Sequence, residues 1–244
     1  MSLILGYDSE TTGLSVKSEY IIEVGAAIYD TDKKQIMKTY SNFILWPSRP
    51  IIPKEAYDTH GIDQDMIEKW GSPPEEVFSE IFRLADNCDY LVSHNGLGYD
   101  RPITEHNILR INDPSKTLVK KFYGYKWIDT LIDLPFTKKF KTKELEYLAH
   151  KHDYHMKGAH RALNDVQAML YILSCYDFEL VRNIASTPYQ TIEAKVSYED
   201  REKAKQAGFY WNSDNKKWEK KQRKYFTDKD ASQLSFGIGV CDPK

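Results

Sequence analysis

Cysteine is scarce in this 244-residue chain, and the three present, Cys88, Cys175 and Cys241, stand far apart with no Cys-x-x-Cys pair. That spacing argues against a disulfide framework and against a structural zinc site, so the thiols read as reduced. No apolar run approaches the length of a membrane span, and the short run Leu3 to Leu5 has no basic flank and soon meets Asp8. The N-terminus is therefore not read as a signal peptide or a membrane anchor, and the expected address is the cytoplasm, with no membrane partner. An overall excess of basic residues is also missing, since 34 Lys and Arg face 36 Asp and Glu for a net charge of −2. A negative balance does not exclude a nucleic-acid enzyme, because a carboxylate cluster that holds cations supplies positive charge at the phosphate itself. Internal repeats, heptads and low-complexity tracts are lacking as well. What remains, at 41% hydrophobic and 29% charged residues, is the composition of an ordinary globular protein with a sizeable core.

Patterning divides the chain. Leu3 to Asp8, Ile21 to Tyr29 and Ile36 to Leu45 are β-rich and bounded by polar turns, which predicts an antiparallel three-stranded meander. After Pro53 the patterning shifts to helical, and Pro73 and Pro74 open a helix in which Val77, Ile81, Phe82, Leu84 and Ala85 recur at helical spacing. Tyr90 to Ser93 and Lys126 to Asp129 are short strand candidates, a helix is expected after Pro102, and Glu144 to His150 and Arg161 to Leu180 read as two more helices. The order βββαβαβαα implies an α/β protein: a mixed five-stranded sheet, meander plus parallel strands, flanked by helices. The pattern breaks at Ser186-Thr187-Pro188, giving a first domain over residues 1–185 and a small basic α+β domain over 190–244. From Tyr189 to Lys244 there are 12 Lys and Arg against 9 Asp and Glu, so this segment carries about +3 while the remainder is acidic.

Three short segments hold candidate chemistry. Asp8 and Glu10 are two apart at a strand end, so both carboxylates leave one face, the ligand type that Mg²⁺ or Mn²⁺ prefers; a solvated edge pair is the plainer reading of that motif alone. Ser93-His94-Asn95-Gly96-Leu97-Gly98-Tyr99-Asp100 breaks from strand to loop and ends in an acid before a helix, where Asp100 either joins the cluster or caps the helix. His160-Arg161-Ala162-Leu163-Asn164-Asp165 puts a histidine at a helix entrance and an acid one turn further in, a base that reaches water beside a ligand that stays fixed, although a lone His160 reads equally as a surface residue. His150, His152 and His155 also cluster, without the cysteine or acid spacing of a zinc finger.

Taken together, the motif Asp8-Ser9-Glu10-Thr11-Thr12-Gly13-Leu14, then His94-Asn95 with Asp100, then His160 to Asp165, resembles the DEDDh branch of the DnaQ-like 3′→5′ exonucleases over about residues 1–183. Two features bear on the match: one residue more than the family's usual spacing separates Asn95 from Asp100, and Arg161 stands where a sister branch has tyrosine. The resemblance implies a ribonuclease H-like fold and hydrolysis of the 3′-terminal phosphodiester bond of a single strand, DNA in preference to RNA, releasing nucleoside 5′-monophosphates. It implies two Mg²⁺ ions, replaceable by Mn²⁺, on Asp8, Glu10, Asp100 and Asp165, and His160 as general base. It further implies that Thr11, Thr12, Leu14 and Asn95 meet the terminal nucleotide, although Leu14 reads locally as core too, and that Asp129 in Trp127-Ile128-Asp129-Thr130 supports the site from behind. His60-Gly61-Ile62 also resembles the family and reads as packing or turn formation. A polymerase or repair complex is the implied partner. The alternatives are an exoribonuclease and a catalytically silent scaffold of the same fold. The C-terminal segment is weakly similar to HARP-like modules; Phe209, Trp211 and Trp218 beside lysines suit either the core of a small domain or a stacking surface for single-stranded nucleic acid.

Overall fold

The computed structural model describes residues 2–136 and 140–241. It forms two compact units, Met1–Phe178 and Glu179–Lys244. In the first unit the strands β1 (Leu3–Thr11), β2 (Ile21–Asp30), β3 (Gln35–Phe43), β4 (Tyr90–Ser93) and β5 (Trp127–Asp129) make one sheet in the order β3-β2-β1-β4-β5. β1 pairs antiparallel with β2 and β2 with β3, whereas β4 runs parallel to β1 and β5 parallel to β4. The expected mixed sheet is therefore present, with parallel strand ends on the side where β1 delivers Asp8 and Glu10.

The two faces of β1 are covered differently. Tyr7, Ser9 and Thr11 point to one side, where Tyr7 Oη lies 2.9 Å from Thr104 Oγ1 in α4 (Asp100–Leu109). The same side holds the main core, in which Val77, Phe78, Ile81 and Phe82 of α3 (Pro74–Ala85) pack on Leu5, Tyr7 and Leu91. Each such side chain contributes roughly 1.5–3 kcal/mol by leaving water. Gly6, Asp8 and Glu10 face the other side, where α7 (Ala162–Ser174) crosses β1 and β2. Close approach there requires glycine: a Cβ on Gly6 would stand 2.8 Å from Val166 Cγ1. The sequence pattern thus sends apolar residues to the α3 side and acids to the end of α7.

Several elements depart from the sequence reading. Lys54–His60 (α1) and Gln64–Trp70 (α2) fall where the sequence shows only a general shift to helical patterning, and Thr117–Gly124 (α5) where it shows none; each has eight residues or fewer, too short for a clear period. α6 (Leu145–Lys151) lies where it was expected. The single helix read over Arg161 to Leu180 is two, α7 and α8 (Phe178–Ser186), parted at Cys175–Asp177. Ser174 turns its hydroxyl back to Tyr171 O at 2.6 Å at this point, and Asp177 belongs to the residue types that favour helix starts over interiors.

In the second unit β6 (Tyr189–Lys195), β7 (Tyr210–Asn212), β8 (Lys217–Arg223) and β9 (Gly237–Val240) form an antiparallel sheet in the order β7-β8-β6-β9, with α9 (Arg201–Gln206) and α10 (Lys224–Gln233). Its core is small: Ile192, Ala204 and Phe209, with Trp218, Leu234, Phe236 and Ile238 against them. Phe209 is thus a core residue and Trp218 packs half-buried against it, while Trp211 stacks edge-on against Trp218 and stays 52% exposed.

Candidate active site

The end of β1, the entrance of α7 and the N-terminus of α4 converge on one place. Asp8, Glu10 and Asp165 each offer a carboxylate oxygen, all within 4.8 Å of one another. Alternation along β1 aims the first two, and the first full turn of α7 aims the third. Burial, with repulsion from neighbouring acids, holds all three toward the neutral acid: Asp8 is raised well above the carboxylate range by burial and then by Asp100, Glu10 is pushed up to about 8 by burial and Asp165, and burial takes Asp165 to about 6 against the pull of the neighbouring His160. Asp165 Oδ1 is buried with no hydrogen-bond partner. Several carboxylates so close, one with an orphaned oxygen, suit a hard divalent cation, which would relieve the repulsion and satisfy that oxygen.

Asp100 stands beside this trio and outside it. As the first residue of α4 it lies 3% exposed on the Ser9 side of β1, accepting from Ser9 Oγ at 3.0 Å, and burial raises it to about 7. Its charge nevertheless acts on Asp8 more than that of any other acid. Behind it, Asp129 at the end of β5 accepts the amides of Asn95, Leu97 and Leu131 at 2.9, 3.0 and 2.9 Å, which shapes the loop from Ser93 to Asp100. Asn95 is exposed there in a left-handed conformation, φ 61°. His94 is fixed by Thr130 Oγ1 at 2.9 Å and Lys143 O at 2.8 Å.

His160 is exposed at the entrance of α7, itself at φ 61°. The three further histidines do not join a metal group among the described residues; His152, for one, is spent on Leu148 O at 2.7 Å and Tyr176 Oη at 2.8 Å.

The loop after β1 is held by itself and by α4. Thr11 Oγ1 meets Gly13 O at 2.8 Å and Tyr99 Oη at 2.6 Å, and Thr12 Oγ1 donates to Glu19 at 2.6 Å while accepting from Tyr20 N at 3.0 Å. Both threonine hydroxyls are thus engaged within the protein. Asn107 accepts from Ile21 N at 3.0 Å and donates to Glu19 O and Ile103 O, and Arg110 donates to Lys17 O and Ser18 O. The product is a braced loop that presents Leu14 91% exposed; Leu14 is not core.

Glu23, Tyr99, Asn107 and Arg110 did not stand out in the sequence. Only Glu23 left a trace, a lone acid inside the apolar strand Ile21-Ile22-Glu23-Val24-Gly25-Ala26-Ala27-Ile28.

The mixed five-stranded sheet, ribonuclease H-like in order, with three carboxylates gathered where β1 ends, defines the class of fold to which the chain belongs. The exonuclease family model RNase_T matches residues 5–173, and a domain of unknown function, DUF8626, matches residues 190–240. The chain belongs to the exonuclease family and is DnaQ-like. It is 30% identical over 190 residues to the DNA polymerase III PolC-type protein of Thermotoga petrophila, a match spanning 76% of this chain and 12% of that protein. Over 91 residues it is 33% identical to the DNA polymerase III epsilon subunit of Treponema pallidum, 36% of this chain and 39% of that one. The fold is similar to that of E. coli exonuclease I, solved as a zinc-bound complex with single-stranded DNA, with TM-score 0.60 and 15% identity over 82% of this chain and 49% of that chain. The exonuclease I of Methylocaldum szegediense gives TM-score 0.59 and 16% identity over 82% of this chain and 50% of its own. No helix among the described residues is long and apolar enough to cross a membrane.

Proposed function

We propose that the chain is a metal-dependent 3′→5′ exonuclease that releases nucleoside 5′-monophosphates from the 3′ end of a single DNA strand. The observation that carries this reading is the trio Asp8, Glu10 and Asp165 within 4.8 Å, with a buried unpartnered oxygen on Asp165 and an exposed imidazole at His160 on the same helix entrance. Asp8, Glu10 and Asp165, with Asp100 beside them, would hold two Mg²⁺ ions, or Mn²⁺ in their stead. Bound there, such ions would supply positive charge at the phosphate and make water a better nucleophile near neutral pH. The chain's own part is positional and protonic. His160 takes the proton of the attacking water, an exchange an imidazole performs near neutrality. The braced loop from Thr11 to Leu14 offers its backbone and the exposed Leu14 side chain to the terminal nucleotide, and Asn95, exposed on the facing loop, is a second contact.

Likeness to PolC-type and epsilon proteins favours DNA and a polymerase or repair complex as partner. In the second unit, exposed Tyr210 and Trp211 near Lys216 and Lys217 suit a further contact with single-stranded nucleic acid, through stacking and phosphate neutralisation. Matched DNA and RNA oligonucleotides labelled at the 5′ end, incubated with Mg²⁺ and with chelator, test the proposal. A ladder shortening from the 3′ end of DNA, abolished by chelator, is expected. A ladder on RNA alone would make the chain an exoribonuclease, and none with either Mg²⁺ or Mn²⁺ would make it a binding scaffold.

A further inference from the structure

Glu23 is the cross-strand partner of Glu10, directly opposite it on β2. Two like charges in that arrangement repel, and Glu23 is only 2% exposed. Its answer is Arg161: Nε lies 3.2 and 3.1 Å from the two carboxylate oxygens and Nη2 lies 2.7 Å from Oε1, a forked contact that a lysine cannot reproduce. The same carboxylate accepts the amide of Ala162 at 3.2 Å, the first residue of α7. Glu23 therefore does by tertiary contact what a local cap does elsewhere, since Arg161 at the cap position makes no side-chain bond to the helix. Arg161 is flanked on one side by His160 and four residues on by Asp165, and its guanidinium also draws Glu10 toward its charged form, against the acids around it.

We propose that Glu23 and Arg161 are a positioning pair, which locks the entrance of α7 to β2 and so sets His160 and Asp165 at their working distance from Asp8 and Glu10. An ion pair of this kind adds little net stability, since desolvation offsets attraction; its effect falls on geometry. Misplaced ligands weaken cation binding and lower turnover without touching the surfaces that hold the strand, and loss of such supporting contacts typically costs about 10–100-fold in affinity or activity.

The inference rests on the exonuclease reading, and its test separates the two. Arg161→Lys and Glu23→Gln are compared with wild type by Mn²⁺ calorimetry, by thermal melting and by kcat and KM on a labelled DNA strand. Expected are Mn²⁺ affinity and kcat each lower by about tenfold or more, KM little changed, and a double variant no worse than the poorer single one, because both members serve one contact. Wild-type Mn²⁺ affinity and kcat in either variant would overturn the pair's role, as would a fall in melting temperature with both quantities intact. A wild-type protein inert on DNA and RNA would sink the exonuclease reading instead, while the Mn²⁺ titrations would still decide on the pair.

Discussion

Gly25 of β2 lies so close to Leu163 of α7 that a Cβ on the glycine would stand 2.2 Å from the Leu163 amide nitrogen and 2.3 Å from the carbonyl carbon of Ala162. Both neighbours are helix backbone, which cannot rotate aside as a side chain does. Gly25→Ala must therefore push the entrance of α7 off the sheet, at about 1–3 kcal/mol or more. Urea unfolding reads that cost directly, and because Asp165 rides on the same helix, exonuclease activity is expected to fall further than the folded fraction does. Unchanged midpoint and unchanged activity would show that the helix does not sit as described.

In the proposed scheme the acids and the imidazole contribute separately. Asp8→Asn and Asp165→Asn remove two of the proposed cation ligands, so metal-dependent cleavage is expected to vanish and Mn²⁺ binding to weaken, with the fold kept or strengthened because repulsion is relieved. His160→Asn leaves the cluster intact and tolerates the left-handed backbone; its expected loss is about 10²–10⁴-fold in kcat with Mn²⁺ binding retained. Calorimetry beside single-turnover kinetics distinguishes the two classes, and a His160→Asn variant that cleaves at the wild-type rate would remove the base from the scheme.

Stability should respond to pH in an unusual direction. Glu10, Asp100 and Asp165 stand at about 8, 7 and 6 in the fold, all above the ordinary carboxylate range, so the folded state binds protons more tightly than the unfolded chain does. A raised carboxyl group stabilises the fold below its unfolded pKa, and that stabilisation is lost as pH climbs through the folded value. Chelated protein is thus expected to melt at progressively lower temperature between about pH 5 and 8. Mg²⁺ or Mn²⁺, binding the ionised cluster, should raise the melting temperature more at pH 8 than at pH 5. A chelated protein whose melting temperature rises over that interval, with no larger metal effect at the alkaline end, contradicts the described cluster.

Asn107 is the hub of the loop that carries Leu14, buried with its amide shared among Ile21, Glu19 and Ile103. Asn107→Leu would leave the Ile21 amide without its acceptor, costing roughly 1–3 kcal/mol. With the loop loosened, KM for the strand should rise while Mn²⁺ affinity stays put. Leu14→Ala, at a side chain already in water, should raise KM with no change in melting temperature. A KM equal to wild type in both variants would take the loop out of substrate binding.

The sheet and the trio of acids were legible because each rests on a local rule. Alternation in β1 places Asp8 and Glu10 on one face, and a helix begun near Arg161 brings Asp165 round to meet them. What stayed hidden depends on partners far along the chain. Glu23 gains its meaning from Arg161, 138 residues away, and Asn107 from Ile21, 86 residues away, so neither spacing nor composition could reveal them. The short helices α1, α2 and α5 were not delimited because seven or eight residues hold a helix only with tertiary support. Asp100 illustrates a mixed case: the motif led to it, but only the fold shows that it approaches from the Ser9 side of β1.

β3 closes one margin of the sheet and carries Gln35, Lys38, Thr39 and Ser41 exposed to water, while β5 closes the other with three residues. Unpaired strand margins invite other chains to add on, and a polar flank with a lysine or a very short strand discourages it. Lys38 and the polar residues of β3, and the brevity of β5, therefore oppose edge-to-edge association by this sheet, although β3 also exposes Met37.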